Sequence, residues 1–149
     1  MQHHWHTLQY TELDRDDLYD IMRLRQEVFV VEQNSAYLDA DGVDLQAVHM
    51  LCREEGRLIA YQRLIQPGIK YSESSMGRIV VQPDLRGKDL GRELVKRGIE
   101  HNLRLWPADI CISAQAHLQK FYRSMGFVSE GDIYAEDGIP HCKMRLSVV

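Results

Sequence analysis

The stretch QPDLRGKDLGREL, residues 82–94, packs Arg86, Gly87, Lys88, Gly91 and Arg92 into seven positions, and a helical pattern begins at once. Backbone N–H groups at a helix start have no intrahelical partner and bind anions directly, helped by the helix dipole. Gly87 and Gly91 let the backbone approach a ligand closely, while Arg86, Lys88 and Arg92 add positive charge. Holding a phosphate or pyrophosphate is the chemistry this suits. Neither common phosphate signature is present: no Gly-Lys-Ser or Gly-Lys-Thr follows the loop, and the spacing of Gly87 and Gly91 does not fit GxGxxG. Asp89 also puts an acid in the middle of the turn. On these residues alone, a phosphate cradle and a basic surface turn with a helix cap both stay open.

Several elements must form to hold that turn in place. HTLQYTEL reads as a first short strand. Asp14 is placed to cap a helix with Asp16 and Asp17 in its first turn, where acids suit the dipole. Leu18, Ile21, Met22, Arg25, Val28 and Phe29 recur at helical spacing. EQNSAYLDADGVD is a loop of turn formers. AVHMLCR and LIAYQRLIQ read as strands joined by a tight turn at Glu54-Glu55-Gly56, and SMGRIVV as a third strand that Pro83 ends. After the basic turn comes a helix with Leu90, Leu94, Val95, Ile99 and Leu103 along one side, a Glu93–Arg97 pair on another, and Pro107 at its end. DICISAQA is a strand. HLQKFYRSMGF is a short helix with Leu118, Phe121, Tyr122 and Met125 on one side and Gly126 just past its end. Two closing strands flank EDGIP. The result is a mixed α/β domain, one domain over residues 1–149. Its centre is a strand–turn–helix–strand unit of the kind that makes a right-handed parallel crossover.

The 149 residues suit one hydrophobic core, with 44% hydrophobic and 27% charged residues. A formal net charge of −4 gives no electrostatic case for nucleic acid as the partner. No apolar run approaches the ~18 residues a membrane span needs, and MQHHWHTLQY lacks a signal peptide's apolar core, so a cytoplasmic protein with no membrane partner is expected. Cys52, Cys111 and Cys142 are odd in number and far apart, which argues against a disulfide framework or a CxxC zinc site and for inert core or edge thiols. No metal site is expected; His3, His4 and His6 read as a frayed, solvated terminus. Glu32, Asp39, Asp41 and Asp44 fall in one segment without a Lys or Arg. That segment is either an acidic rim attracting an amine or a loop of Asx-turns with solvated carboxylates.

Arg86-Gly87-Lys88-Asp89-Leu90-Gly91 resembles the acetyl-CoA pyrophosphate pattern of the GCN5-related N-acetyltransferases, Arg/Gln-x-x-Gly-x-Gly/Ala, missing only the middle glycine, which is Asp89. AQAHLQKFYRSMGF is similar to the same family's Asn-x-x-Ala-x-x-x-Tyr-x-x-x-Gly-Phe. Tyr122, Gly126 and Phe127 fall in register, Gln115 stands where Asn is usual, and Leu118 where Ala is usual. RQEVFVVEQ, DADGVD, AVHML and EDGIPH resemble the ElaA-like subgroup, and the resemblance runs from about Trp5 to Val149.

The resemblance implies a central, mostly antiparallel sheet with one splayed parallel pair and flanking helices. The pantetheine arm of acetyl-CoA would lie in the splay, pairing with backbone groups of Ile79, Val80 and Val81. Backbone N–H groups from Arg86 through Gly87, Lys88, Asp89, Leu90 and Gly91 to Arg92 would hold the pyrophosphate, and Gln115 would reach the arm. The implied reaction is direct transfer of an acetyl group to a primary amine, with Tyr122 protonating the departing thiolate. The base stays open among His49, Glu32, His117 and His141. His49 faces away from Val48 and Met50 on its strand, Glu32 could meet the amine, and His141 could overhang the acceptor. Transfer of longer acyl chains, acyl-homoserine-lactone synthesis and non-enzymatic CoA binding are the competing readings. A homodimer is compatible with the family.

Overall fold

The computed structural model describes residues 2–148. Strands β1 (His4–Gln9), β2 (Val48–Glu54), β3 (Arg57–Ile65) and β4 (Ser75–Val81) form an antiparallel sheet in that order. A second antiparallel sheet holds β5 (Ile110–Gln115), β6 (Val128–Glu136) and β7 (Ile139–Leu146), with β7 in the middle. Helices α1 (Arg15–Arg25), α2 (Leu90–Leu105) and α3 (Gln119–Ser124) complete the regular structure. No helix among the described residues is long and apolar enough to cross a membrane, which says nothing of strands.

β4 and β5 run parallel and meet at one bridge, Ser74 to Ile110, where the Cys111 N–H donates to the Ser74 carbonyl at 3.0 Å. Beyond it they part, so the β5-facing edge of β4 has no strand partner. The crossover between them is α2, packed by Leu90, Leu94 and Val95 into a core that includes Met50, Ile59, Met76, Ile112, Ala114, Tyr122 and Phe127. On the opposite face Ile21 and Leu24 of α1 and Val28 just beyond it are buried against Leu51, Tyr61 and Val80. Those helical positions are spaced i, i+3, i+7, one stripe of a 3.6-residue repeat. A capping box starts α1: the Asp17 N–H donates to the Asp14 carboxylate at 2.7 Å, and the Asp14 N–H to that of Asp17 at 3.3 Å.

α3 ends in a Schellman motif. The Phe127 N–H donates to the Tyr122 carbonyl and the Gly126 N–H to that of Arg123, with Gly126 at φ 105°. This fixes Phe127 on Tyr122, their rings edge-on at 6.0 Å, and so sets where the phenol lies.

One expectation fails at the N-terminus. His4 and His6 keep exposed side chains, but their backbone is strand, registered on Arg53 and Leu51, and the strand turns to 3-10 helix at Tyr10. Arg97 of α2 lies over the Trp5 ring at 4.3 Å. The terminus is tied into the sheet, not frayed.

Candidate active site

The parting of β4 and β5 opens a cleft of about 680 Å³ whose walls come from both faces of the sheet. Ile79, Val80 and Val81 line one side; Ile112, Ser113, Ala114 and Gln115 line the other. Tyr122, His117 and Leu118 close it toward α3, while Glu136, Asp137, Ile139 and His141 close it at the β6–β7 hairpin. Gly77, Arg78 and Ile79 carry a bulge, because Tyr61 pairs with Val80 and Arg63 with Gly77. Arg78 sits there at φ 50°, a left-handed conformation that costs a non-glycine residue about 1–3 kcal/mol.

The basic turn stands at one end. Gly87 has φ 79° and Asp89 φ 62°, and α2 starts at Leu90. Backbone N–H groups from Gly87 to Arg92 have no acceptor among the described residues, so they are available to an anion. Asp89 is the residue before the helix, yet its side chain makes no capping bond. It supplies the left-handed backbone, and its carbonyl accepts the Glu93 N–H at 3.1 Å. Arg92 lies 5.5 Å from the Phe121 ring centre and 3.2 Å from Met125 Sδ, tying α2 to α3.

At its C-terminal end α1 widens into a π-helix over Gln26–Glu32, a distortion often found at working sites. It delivers three contacts across the cleft. Glu32 takes two hydrogen bonds from Arg86, at 2.6 and 2.7 Å. Gln33 and Gln115 exchange amide hydrogen bonds at 3.5 and 3.2 Å, and Ser35 donates to the Asp137 carbonyl at 2.8 Å. Arg86 and Gln115 both line the cleft, and each is held by this strap.

His49 is not brought to the site. Its ring is fully buried, one nitrogen 2.6 Å from the Tyr61 hydroxyl and the other 2.9 Å from the Asp44 carbonyl. It faces away from Met50 as its strand position requires, but α1 and the loop before β2 cover that side. Burial lowers its basicity, and both ring nitrogens are engaged away from the cleft.

The acidic segment is corrected as well, apart from Glu32 and Asp41, which stay exposed. Asp39 and Asp44 are buried rather than on a rim or in solvent. Arg25, fully buried, donates to Asp39 at 2.8 Å and Asp44 at 2.6 Å; Arg63 donates to Asp44 at 2.9 Å and Asp41 at 2.7 Å. Arg78 joins through Asp39 at 2.7 Å. Burial by itself would raise the Asp44 carboxyl; hydrogen bonds from Arg25 and the charges of Arg25 and Arg63 outweigh that and hold it below the usual range. This network anchors the loop and the bulge from beneath.

Burial alone pushes the Tyr122 phenol up to about 12. At the hairpin end, Ser113 donates to Glu136 at 3.0 Å and is hydrogen-bonded to the Tyr134 hydroxyl, while Lys70 lines the same wall. Glu136, Ser113, Tyr134, Lys70 and Arg78 were missed by sequence reasoning. Only the EDGIPH block, which contains Glu136, pointed to any of them.

A split sheet, an unpaired strand edge and free helix-start N–H groups beside the gap form a cleft suited to an extended ligand that ends in a phosphate. Residues 18–148 match the model of the acetyltransferase (GNAT) domain. UPF0039 protein sll0451 of Synechocystis is 42% identical over 99% of this chain and 97% of its own. Protein ElaA of Escherichia coli is 39% identical over 97% of each chain, and its crystal structure superposes with a TM-score of 0.90 over 97% of this chain and 99% of that one. A Pseudomonas aeruginosa acyl-CoA N-acyltransferase structure is 38% identical, covers 98% of this chain and 100% of its own, and gives 0.93. The chain belongs to the GCN5-related N-acetyltransferases, in their ElaA-like group, and is an acyl-CoA-dependent N-acyltransferase.

Proposed function

We propose that the chain moves an acetyl group from acetyl-CoA to a primary amine by direct attack, with Tyr122 as the acid. The supporting observation is a phenol in the wall of a cleft also lined by Arg86, the residue that leads into the free helix-start N–H groups. Those N–H groups, with Lys88 and a released Arg86, hold the pyrophosphate. The unpaired edge of Ile79, Val80 and Val81 aligns the pantetheine amides, and Gln115 adds a bond once Gln33 lets go. The bound thioester supplies an activated carbonyl carbon and a thiolate leaving group.

Charge that develops on the carbonyl oxygen during attack is met by a backbone N–H near Val81. The C–N bond forms, the C–S bond breaks, Tyr122 gives its proton to the sulfur, and the proton shed by the new amide nitrogen returns through solvent to the phenolate. A phenol near 12 stays protonated throughout the neutral range. It is a weaker acid than a reference phenol at ~10, so its contribution grows with the charge on sulfur and transfer completes only as the thiolate departs.

A free-thiol assay with acetyl-CoA and a panel of amines and peptides tests the reading, with longer acyl-CoAs as comparison donors. Tyr122→Phe is expected to lower kcat by about 10²-fold or more while leaving acetyl-CoA affinity nearly unchanged. Full turnover by that variant across pH would remove Tyr122 from the reaction.

A further inference from the structure

An amine reaching this cleft at neutral pH carries an extra proton, and something must take it before attack. The geometry points to His141 as the proton acceptor and Glu136 as the residue that positions it, an assignment that rests on reading the cleft as an amine-acetylating site. His141 Nδ1 lies 2.7 Å from the Ile139 carbonyl oxygen. A carbonyl oxygen has no hydrogen to give, so Nδ1 must be the donor, and the neutral ring keeps its lone pair on Nε2. Nε2 in turn is 3.6 Å from Glu136 Oε2. That is too long for a hydrogen bond but within ion-pair range once the ring is charged. The other carboxylate oxygen, Oε1, accepts from Ser113 at 3.0 Å, so Oε2 is turned to the imidazole. Tyr134 stacks on the ring, 6.3 Å between centroids at 25°, and restrains its rotation.

Both residues line the cleft, and His141 is otherwise enclosed, with only 9% of its side chain exposed. The remaining candidates for a base are less well placed. His49 is sealed from the cleft, Glu32 stands beside Arg86 at the basic-turn end, and His117 lies on the α3 side with Tyr122.

In the step itself, an N–H bond of the ammonium breaks and its electron pair stays on nitrogen. The proton passes to Nε2, and the new imidazolium pairs with Glu136. The free amine then attacks; Tyr122 gives its proton to the sulfur as the C–S bond breaks, and the second proton, shed by the nitrogen as it becomes an amide, returns through water to the Tyr122 phenolate. Lys70 lies on the same wall.

Two measurements on the full chain test this. Long-range ¹H–¹⁵N NMR of the imidazole nitrogens needs no acceptor and should show neutral His141 protonated on Nδ1; a neutral ring protonated on Nε2 overturns the assignment. In the free-thiol assay, using acetyl-CoA and whichever amine the panel shows to be acetylated, His141→Ala should lower kcat by about 10²-fold with KM for acetyl-CoA unchanged, and added imidazole should restore part of the rate. Glu136→Gln should lower kcat less, and Glu136→Asp should recover some of it. Unchanged kcat in His141→Ala would overturn the proposal. If the wild-type chain acetylates no amine, the proposed function fails while the NMR result still decides the tautomer.

Discussion

Arg86 is both the first residue of the anion turn and the partner of Glu32, and the two roles compete. Glu32→Gln keeps the shape of the side chain and removes its charge. The pair is 43% exposed on each side, with two hydrogen bonds of 2.6 and 2.7 Å. Exposed pairs contribute about 0.2–1 kcal/mol, and the two-pronged geometry puts this one near 1 kcal/mol. If Arg86 must leave Glu32 to meet the pyrophosphate, removing the carboxylate charge returns that energy to binding. At about 1.4 kcal/mol per tenfold, Kd for acetyl-CoA should fall by about two- to fivefold. Isothermal titration calorimetry at low salt measures this directly, and the gain should shrink as salt screens the pair. Arg86→Ala should bind more weakly, and Glu32→Gln added to it should give no further gain. Weaker binding in Glu32→Gln, or a full gain without Arg86, would refute the competition.

Asp89→Gly should leave acetyl-CoA affinity similar or slightly tighter, because glycine takes φ 62° without strain and removes an acid; a large loss in calorimetry would show that the turn has been misread. Asp89→Ala keeps the unfavourable φ and should lower the melting temperature, by an amount corresponding to about 1 kcal/mol. The buried network sets an acid limit to stability. Burial opposes the charge on Asp41 and Asp44, but hydrogen bonds and charges from Arg63 and Arg25 hold both carboxyls below the ordinary range. A depressed folded-state pKa means stability that is complete above about 4 and lost as pH falls further. Melting temperature should therefore stay level down to about pH 5 and drop steeply below pH 4. Asp44→Asn should cost about 3–5 kcal/mol at pH 7, because Arg25 and Arg63 stay buried with too little counter-charge; a loss under 1 kcal/mol in urea unfolding would contradict that.

Much of the frame is legible in local pattern. SMGRIVV coincides with β4 residue for residue, α2 begins at Leu90, and the turn at Glu55-Gly56 has both residues at positive φ. Alternation and turn chemistry act over a few residues, so a single sequence displays them. Partners far apart in the chain do not show in this way. Arg25 fits the buried stripe of α1, and so it is spaced like an apolar residue, yet its guanidinium is there to meet Asp39 and Asp44. The carboxylates look solvated only because their arginines lie elsewhere in the sequence. For His49, alternation gave the correct face, but what covers that face depends on where α1 packs. The family motifs pointed to the anion turn and Tyr122, whereas Ser113, Glu136 and His141 meet only through the register of β5, β6 and β7.

The gap between β4 and β5 has walls on both faces of the sheet, which gives the enzyme two doorways. On the proposed reading the donor would lie along the basic turn and the α3 side, and the acceptor would arrive past the β6–β7 hairpin. Neither would then have to leave before the other enters, and both would be bound at once without an acyl-enzyme to store the group between visits. Initial-rate plots should then intersect rather than run parallel, and free CoA should compete with acetyl-CoA but not with the amine. A bulky acceptor, such as the end of a polypeptide, would need only its amine to reach the middle of the passage.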